Sequence, residues 1–214
     1  VAWGEGPRGV FKSMDGGMTW NKSLFIDSKT GAGDLVMDPS NPKKLIASMW
    51  EYRRWPWFFK SGGSSSGLYI TYDGGNNWKK MSDKEGLPKG DLGRIGLAIA
   101  PSNPDKVYAL IETGKKNGLY ASSNGGKKWY KVSEDEQTGN RPFYYADIRV
   151  DPKNEDRIYS LWTYITRSDD GGKSWNTITP YSRVHPDHHA MWINPDNPAH
   201  VIEGNDGGMN ISYD

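Results

Sequence analysis

One eight-residue pattern returns four times and begins a fifth. It reads SMDGGMTW (Ser13 to Trp20), TYDGGNNW (Thr71 to Trp78), SSNGGKKW (Ser122 to Trp129) and SDDGGKSW (Ser168 to Trp175), then SYD (Ser212 to Asp214). The aspartate position falls at Asp15, Asp73, Asn124, Asp170 and Asp214, at intervals of 58, 51, 46 and 44 residues. A period of this size means one supersecondary unit built again and again, each copy burying its faces against the next. A second motif keeps the same beat: DPSNP (Asp38 to Pro42), APSNP (Ala100 to Pro104), DPKNE (Asp151 to Glu155) and NPDNP (Asn194 to Pro198). Proline presets φ and Asx side chains close local hydrogen bonds, so each copy is a turn. Short apolar runs flank these turns, such as GLAIA before and KVYALIE after. A third run leads into the DGG pattern and a fourth leaves it at its tryptophan.

One unit is therefore four short strands, here A to D in order, of roughly 45 to 55 residues, the size of a propeller blade. No segment carries a sustained helical period. A β-sandwich would not repeat its turns so regularly, and a β-helix would have a shorter period. The expected fold is an all-β propeller of four-stranded antiparallel blades. The expected blades are 1–26 (incomplete), 27–82, 83–134, 135–180 and 181–214 (incomplete), in one domain. The chain begins within a B strand (VAWG) and stops within a C strand, so it is expected to be part of a larger propeller.

Inside the repeated pattern, the Ser or Thr hydroxyl and the Asp carboxylate are suited to bind turn amides. The Gly pair permits positive φ, and the Trp gives the turn an apolar base. The predicted structural set is Ser13, Asp15, Trp20, Thr71, Asp73, Trp78, Ser122, Asn124, Trp129, Ser168, Asp170 and Trp175, with all four tryptophans buried. Asn124 keeps an acceptor and loses the charge, which a turn tolerates and a catalytic carboxylate does not. A calcium loop is the alternative, but it needs more oxygen ligands than one carboxylate and one hydroxyl.

The pattern resembles the Asp-box, or BNR repeat, of sialidases and of xyloglucan-hydrolase-type and sortilin-type propellers. With GVFKSMDGG, PKGDLGRIGLAI, RPFYYADI, HPDHHAMWI and GNDGGMNISYD, the whole chain is similar to bacterial sortilin-like proteins labelled BNR-repeat glycosyl hydrolases. The resemblance implies a propeller and an extracellular or periplasmic location. It implies function only weakly, because one fold hosts many activities.

Composition excludes several classes. Twenty-seven basic against 26 acidic residues, with no long basic run, argue against nucleic acid. No apolar stretch is long enough to span a membrane, and without cysteine there is no disulfide frame. No cofactor is implied.

In such a blade the A–B and C–D turns share one face of the disc, and the irregular B–C and D–A loops share the other. Ligand residues are expected on the irregular face. The B–C loop of the second blade, Glu51 to Gly67, offers Arg53, Arg54, Trp55, Trp57, Phe58 and Phe59; packing against a neighbouring blade is the competing reading of its aromatics. The D–A segment GNRPFYY offers Arg141, Tyr144 and Tyr145. The D–A segment PYSRVHPDHHAMW offers Arg183, His185, Asp187 and His188. All four histidines lie between His185 and His200. His185, Asp187 and His189 are an alternative metal set; a hydrogen-bonded His/Asp cluster at the channel mouth is the preferred reading. Glu5, Glu51, Glu112 and Glu203 recur at the ends of B strands, which favours a structural role.

Two functions follow. One is a recognition propeller binding a glycan, a peptide, or the remaining blades or domains of its own protein. The other is a glycoside hydrolase with Asp187, Glu51 or Asp206 among its acids. Neither the sialidase arginine triad nor the paired acids of xyloglucan-type enzymes can be matched residue by residue.

Overall fold

The computed structural model describes residues 7–114, 117–139 and 141–214. VAWG and Glu5 therefore lie outside the described residues, as does Asn140 of the GNRPFYY segment. The rest is all-β, apart from two single-turn 3-10 segments at Asp83–Glu85 and Glu136–Thr138. The first sheet pairs β1 (Val10–Lys12) with β2 (Asn21–Leu24). The second holds β3 (Thr30–Asp38), β4 (Asn41–Arg54), β5 (Phe59–Ser61), β6 (Gly67–Thr71) and β7 (Lys79–Lys80). The third runs β8 (Leu92–Ile99), β9 (Val107–Thr113), β10 (Gly118–Ser122) and β11 (Tyr130–Ser133). The fourth runs β12 (Asp147–Val150), β13 (Ile158–Leu161), β14 (Ile165–Ser168) and β15 (Asn176–Thr177). The last holds β16 (His188–Ile193), β17 (Val201–Asn205) and β18 (Gly208–Ser212). Each is an antiparallel meander, as in a propeller blade; in the second, β4 pairs both β6 and, along its extension, β5.

The core lies between the sheets. Side chains of a strand point alternately to its two faces, and both faces of the central sheets are covered. Along β9, Val107, Ala109 and Ile111 pack with Ile46, Leu68 and Ile70 of the second sheet. Tyr108 and Leu110 face the other way, toward Ile148, Val150 and Ile158 of the fourth. Burying each such Leu or Ile stabilises by about 1.5–3 kcal/mol relative to exposure. Each sheet is thus held by its neighbours more than by itself.

The repeated pattern forms the turn between the last two strands of each of the first four sheets. Ser13, Thr71, Ser122 and Ser168 accept the amide of the second glycine at 2.7, 3.0, 2.9 and 2.8 Å. Asp15, Asp73, Asn124 and Asp170 accept the amide four residues on at 2.8–3.0 Å. Both glycines of every copy have positive φ, for example 70° and 90° at Gly125 and Gly126, where a side chain would be strained.

The first glycine's amide reaches across to the A–B turn. Gly74 donates to Lys43 at 2.8 Å, Gly125 to Asp105 at 2.8 Å and Gly171 to Asp156 at 2.9 Å. The two repeated motifs therefore sit together on one face.

The tryptophans divide. Trp129 and Trp175 are each 5% exposed, Trp78 is half-buried, and Trp20 is 61% exposed. The expectation that all four are buried fails at Trp20. Each indole packs against the preceding sheet: Trp175 with the third, Trp129 with the second, Trp78 with the two-stranded first. Among the described residues no sheet precedes Trp20.

Candidate functional site

The expected long loop after β4 is instead an extension of the strand. Tyr52 pairs with Ser61, Arg53 with Lys60 and Arg54 with Phe59, and Trp55 N–H donates to Phe58 at 2.6 Å to close the turn. Alternation then sorts the ribbon's side chains. Tyr52, Arg54, Phe59 and Ser61 share one side; Glu51, Arg53 and Lys60 share the other. Trp57 stands at the tip, 82% exposed.

The first side meets the D–A segment of the fourth sheet. Phe143 lies 4.7 Å from Phe59, 5.1 Å from Trp50 and 6.4 Å from Tyr52, ring centre to ring centre. Tyr144 is held between two guanidinium groups: Arg54 bonds its hydroxyl and lies 5.4 Å from its ring centre, and Arg141 lies 4.8 Å from it. Arg94 fixes the segment from below, donating to the carbonyls of Phe143 and Tyr144 at 3.4 and 2.9 Å while resting 5.6 Å from the Trp50 ring. The segment lies close on β8 because Gly96 lacks a side chain: a Cβ there would collide with the Ala146 carbonyl.

From Tyr144 the aromatic line runs on to Tyr145, 6.3 Å away, and from Tyr145 to the His189 ring, 5.3 Å away. Burial, then a hydrogen bond to Asp187 and its charge, push the Tyr145 hydroxyl up to about 12. It stays protonated and donates toward Asp187. Asp187 has φ 69°, the single positive value outside glycine among the described residues. Such a value is tolerated by aspartate and concentrates at functional sites. Its backbone is held on both sides, with its amide donating to Thr163 and its carbonyl accepting from Asp206, each at 3.3 Å. A register shift between His188 and Ala190 follows at once, and such bulges re-aim side chains.

The two adjacent histidines consequently have different partners. His189 Nε2 is 2.9 Å from Asp206 and exposed. His188 is only 1% exposed, and its Nδ1 lies 2.7 Å from Glu203. Glu203 also accepts from Asn205 and Asn210. His188 was expected among the ligand contacts; it is instead a buried structural group. His185 is directed to its own Pro186 carbonyl at 2.9 Å. His185, Asp187 and His189 do not gather as a metal set, and among the described residues no three His, Cys, Asp or Glu do. Arg183 sits exposed on the turn after Pro180, whose carbonyl accepts its amide.

The glutamates ending B strands are engaged. Glu51 pairs with Lys60 at 2.7 Å, and Glu112 accepts from Ser61 and the Arg94 amide at 2.5 and 2.8 Å. Arg94, Phe143 and Trp50 were missed by sequence reasoning. Arg94 and Trp50 lie within strand runs and carry no sign of what crosses above them.

The face thus carries an aromatic and arginine-lined track from the ribbon to two carboxylates, Asp187 and Asp206. Such a track can stack sugar rings and hydrogen-bond their hydroxyls.

The chain is similar to xyloglucanases. It is 28% identical over 204 residues to xyloglucanase Xgh74A of Acetivibrio thermocellus, covering 79% of this chain and 22% of that protein. A probable oligoxyloglucan-reducing end-specific xyloglucanase of Neosartorya fischeri is 22% identical over 197 residues, covering 86% of this chain and 23% of the relative. The chain thus spans about a fifth of the length of these relatives. The crystal structure of an ancestral GH74 enzyme superposes over 92% of this chain and 25% of its own, with TM-score 0.65 and 18% identity, and shows the propeller fold. No family model matches the chain. The likeness to xyloglucanases is more specific than the sortilin-type resemblance read from the repeats.

Proposed function

We propose that this propeller serves a glycoside hydrolase acting on xyloglucan or a related β-glucan outside the cell. The observation that carries the proposal is the track from Tyr52 through Phe143, Tyr144 and Tyr145 to Asp187. The names of the xyloglucanase relatives support it. Sugar rings stack along the exposed edges of this track, and Arg54 and Arg141 donate to their hydroxyls. Asp187 is the first acting carboxylate. Its backbone is fixed from both sides, and the Tyr145 hydroxyl orients it. Asp206, tied to Asp187 through the backbone and to His189 through its side chain, is the second. Glu51, already paired with Lys60, is the weaker candidate.

The test is reducing-sugar release from xyloglucan, with carboxymethyl cellulose as the comparison polymer. The expected result is release that falls by about 10²-fold or more in Asp187→Asn, the scale of a lost acid–base group. Saturable xyloglucan binding without release in the unaltered protein would replace hydrolysis with recognition alone. Neither binding nor release would overturn the proposal.

A further inference from the structure

The other side of the β4–β5 ribbon faces away from the track and toward the first sheet. There Arg53 and Lys60, cross-strand partners on one side of the ribbon, meet Arg8 and Lys29 around a cavity of about 330 Å³. Trp55 supplies one ring wall, and Tyr52, whose ring also reaches Phe143 of the track, supplies the other at the edge the two sites share. Arg8 lies 5.2 Å from the Tyr52 ring centre and Arg53 lies 5.5 Å from that of Trp55, so both guanidinium groups are held over aromatic faces. Arg8 is tethered further by a bond to the Lys29 carbonyl at 3.3 Å. Among the described lining residues Glu51 is the single carboxylate, and Lys60 pairs with it at 2.7 Å. Four cations thus surround one acid in a chain whose overall charge is only +1.

We infer that this cavity binds a carboxylate-bearing sugar, a hexuronate residue of a polysaccharide. Three features select that class. Arginine forks match a carboxylate geometrically. The volume lies in the range of small-ligand sites and accommodates a sugar ring. The ring walls and the Glu51 acceptor suit a hydroxylated ring, which inorganic phosphate lacks. The site shares the Tyr52 ring with the track but not Asp187 or Asp206, and it does not depend on whether the track hydrolyses xyloglucan.

Calorimetric titration of the chain with trigalacturonic acid tests the inference, with cellotriose and inorganic phosphate as the other arms. Trigalacturonate is expected to bind more tightly than either, and more weakly as salt screens the exposed charges over roughly 10 Å. The double variant Arg8→Gln/Lys29→Gln, altered outside the xyloglucan track, is expected to lose about tenfold or more in trigalacturonate affinity. Its thermal midpoint should stay at the unaltered value. Phosphate binding as tight as trigalacturonate would make the cavity a simple anion site and overturn the assignment. So would absent trigalacturonate binding, or affinity unchanged in the double variant.

Discussion

The indole Nε1 of Trp129 donates to the carbonyl of Gly126 at 2.9 Å, tying the ring beneath the turn that it ends. Trp20 makes the same bond to Gly17 at 3.0 Å, yet its ring is largely in solvent. The local hydrogen bond is common to both, and the neighbouring sheet is not. Trp129→Ala should therefore cost on the order of 3–5 kcal/mol, as for large aromatic truncations in cores. Trp20→Ala should cost within about 0.5 kcal/mol, as at open surface positions. Urea unfolding of the two variants measures the contrast; equal losses would contradict it.

Acid should loosen the turns. Side-chain and backbone hydrogen bonds from Thr19 lower Asp15 to about 2. Asn77 lowers Asp73 and Ser174 lowers Asp170 in the same way. A carboxylate depressed in the folded state contributes stability that is complete above its ordinary value, 3.8, and lost as pH falls through the folded value. The thermal midpoint should therefore drop between about pH 5 and about pH 2. The drop should be smaller in the triple variant Asp15→Asn/Asp73→Asn/Asp170→Asn, and larger in Asn124→Asp. Parallel melting curves across that range would refute the assignment.

The two histidine–carboxylate pairs should respond unequally to truncation. Glu203→Ala leaves the buried His188 Nδ1 without its partner and should destabilise by about 1–3 kcal/mol, the cost of a buried polar group left unsatisfied. Asp206→Ala removes an exposed partner of His189 and should cost less than about 1 kcal/mol. Denaturant midpoints of the two variants decide the matter. A stable Glu203→Ala protein would show that His188 is not held by this contact.

Arg94 should matter to the ligand without touching it. Its Nη1 donates to both the Phe143 and Tyr144 carbonyls while the planar guanidinium rests on the Trp50 ring, a stacked seat that a compact lysine ammonium does not reproduce. Arg94→Ala and Arg94→Lys should both weaken xyloglucan binding by about tenfold, a positional loss of about 1.4 kcal/mol. Electrophoresis through xyloglucan-containing gels measures this. Full rescue by lysine would reduce Arg94 to a source of charge.

Much of the architecture could be read from the chain because it is local chemistry repeated. The Ser or Thr, Asp or Asn, Gly-Gly and Trp of each pattern make their bonds within eight residues, and proline and asparagine set the other turn. The four-strand unit and the shared face of both motifs follow from that period. Long-range relationships did not follow. Whether an indole is buried depends on the sheet before it, which is why Trp20 and Trp129 differ despite identical local bonds. The residues after β4 read as a loop because their aromatics and arginines show no turn-bounded strand pattern, yet cross-strand pairing makes them a ribbon with two different sides. His188 and His189 are neighbours in sequence, but a bulge sends one to Glu203 in the interior and the other to Asp206 at the surface. Sequence supplies side chains in order along one dimension. Only packing between sheets brings Arg54 to Tyr144 and Tyr145 to Asp187, because those contacts are enforced by neighbours tens of residues away.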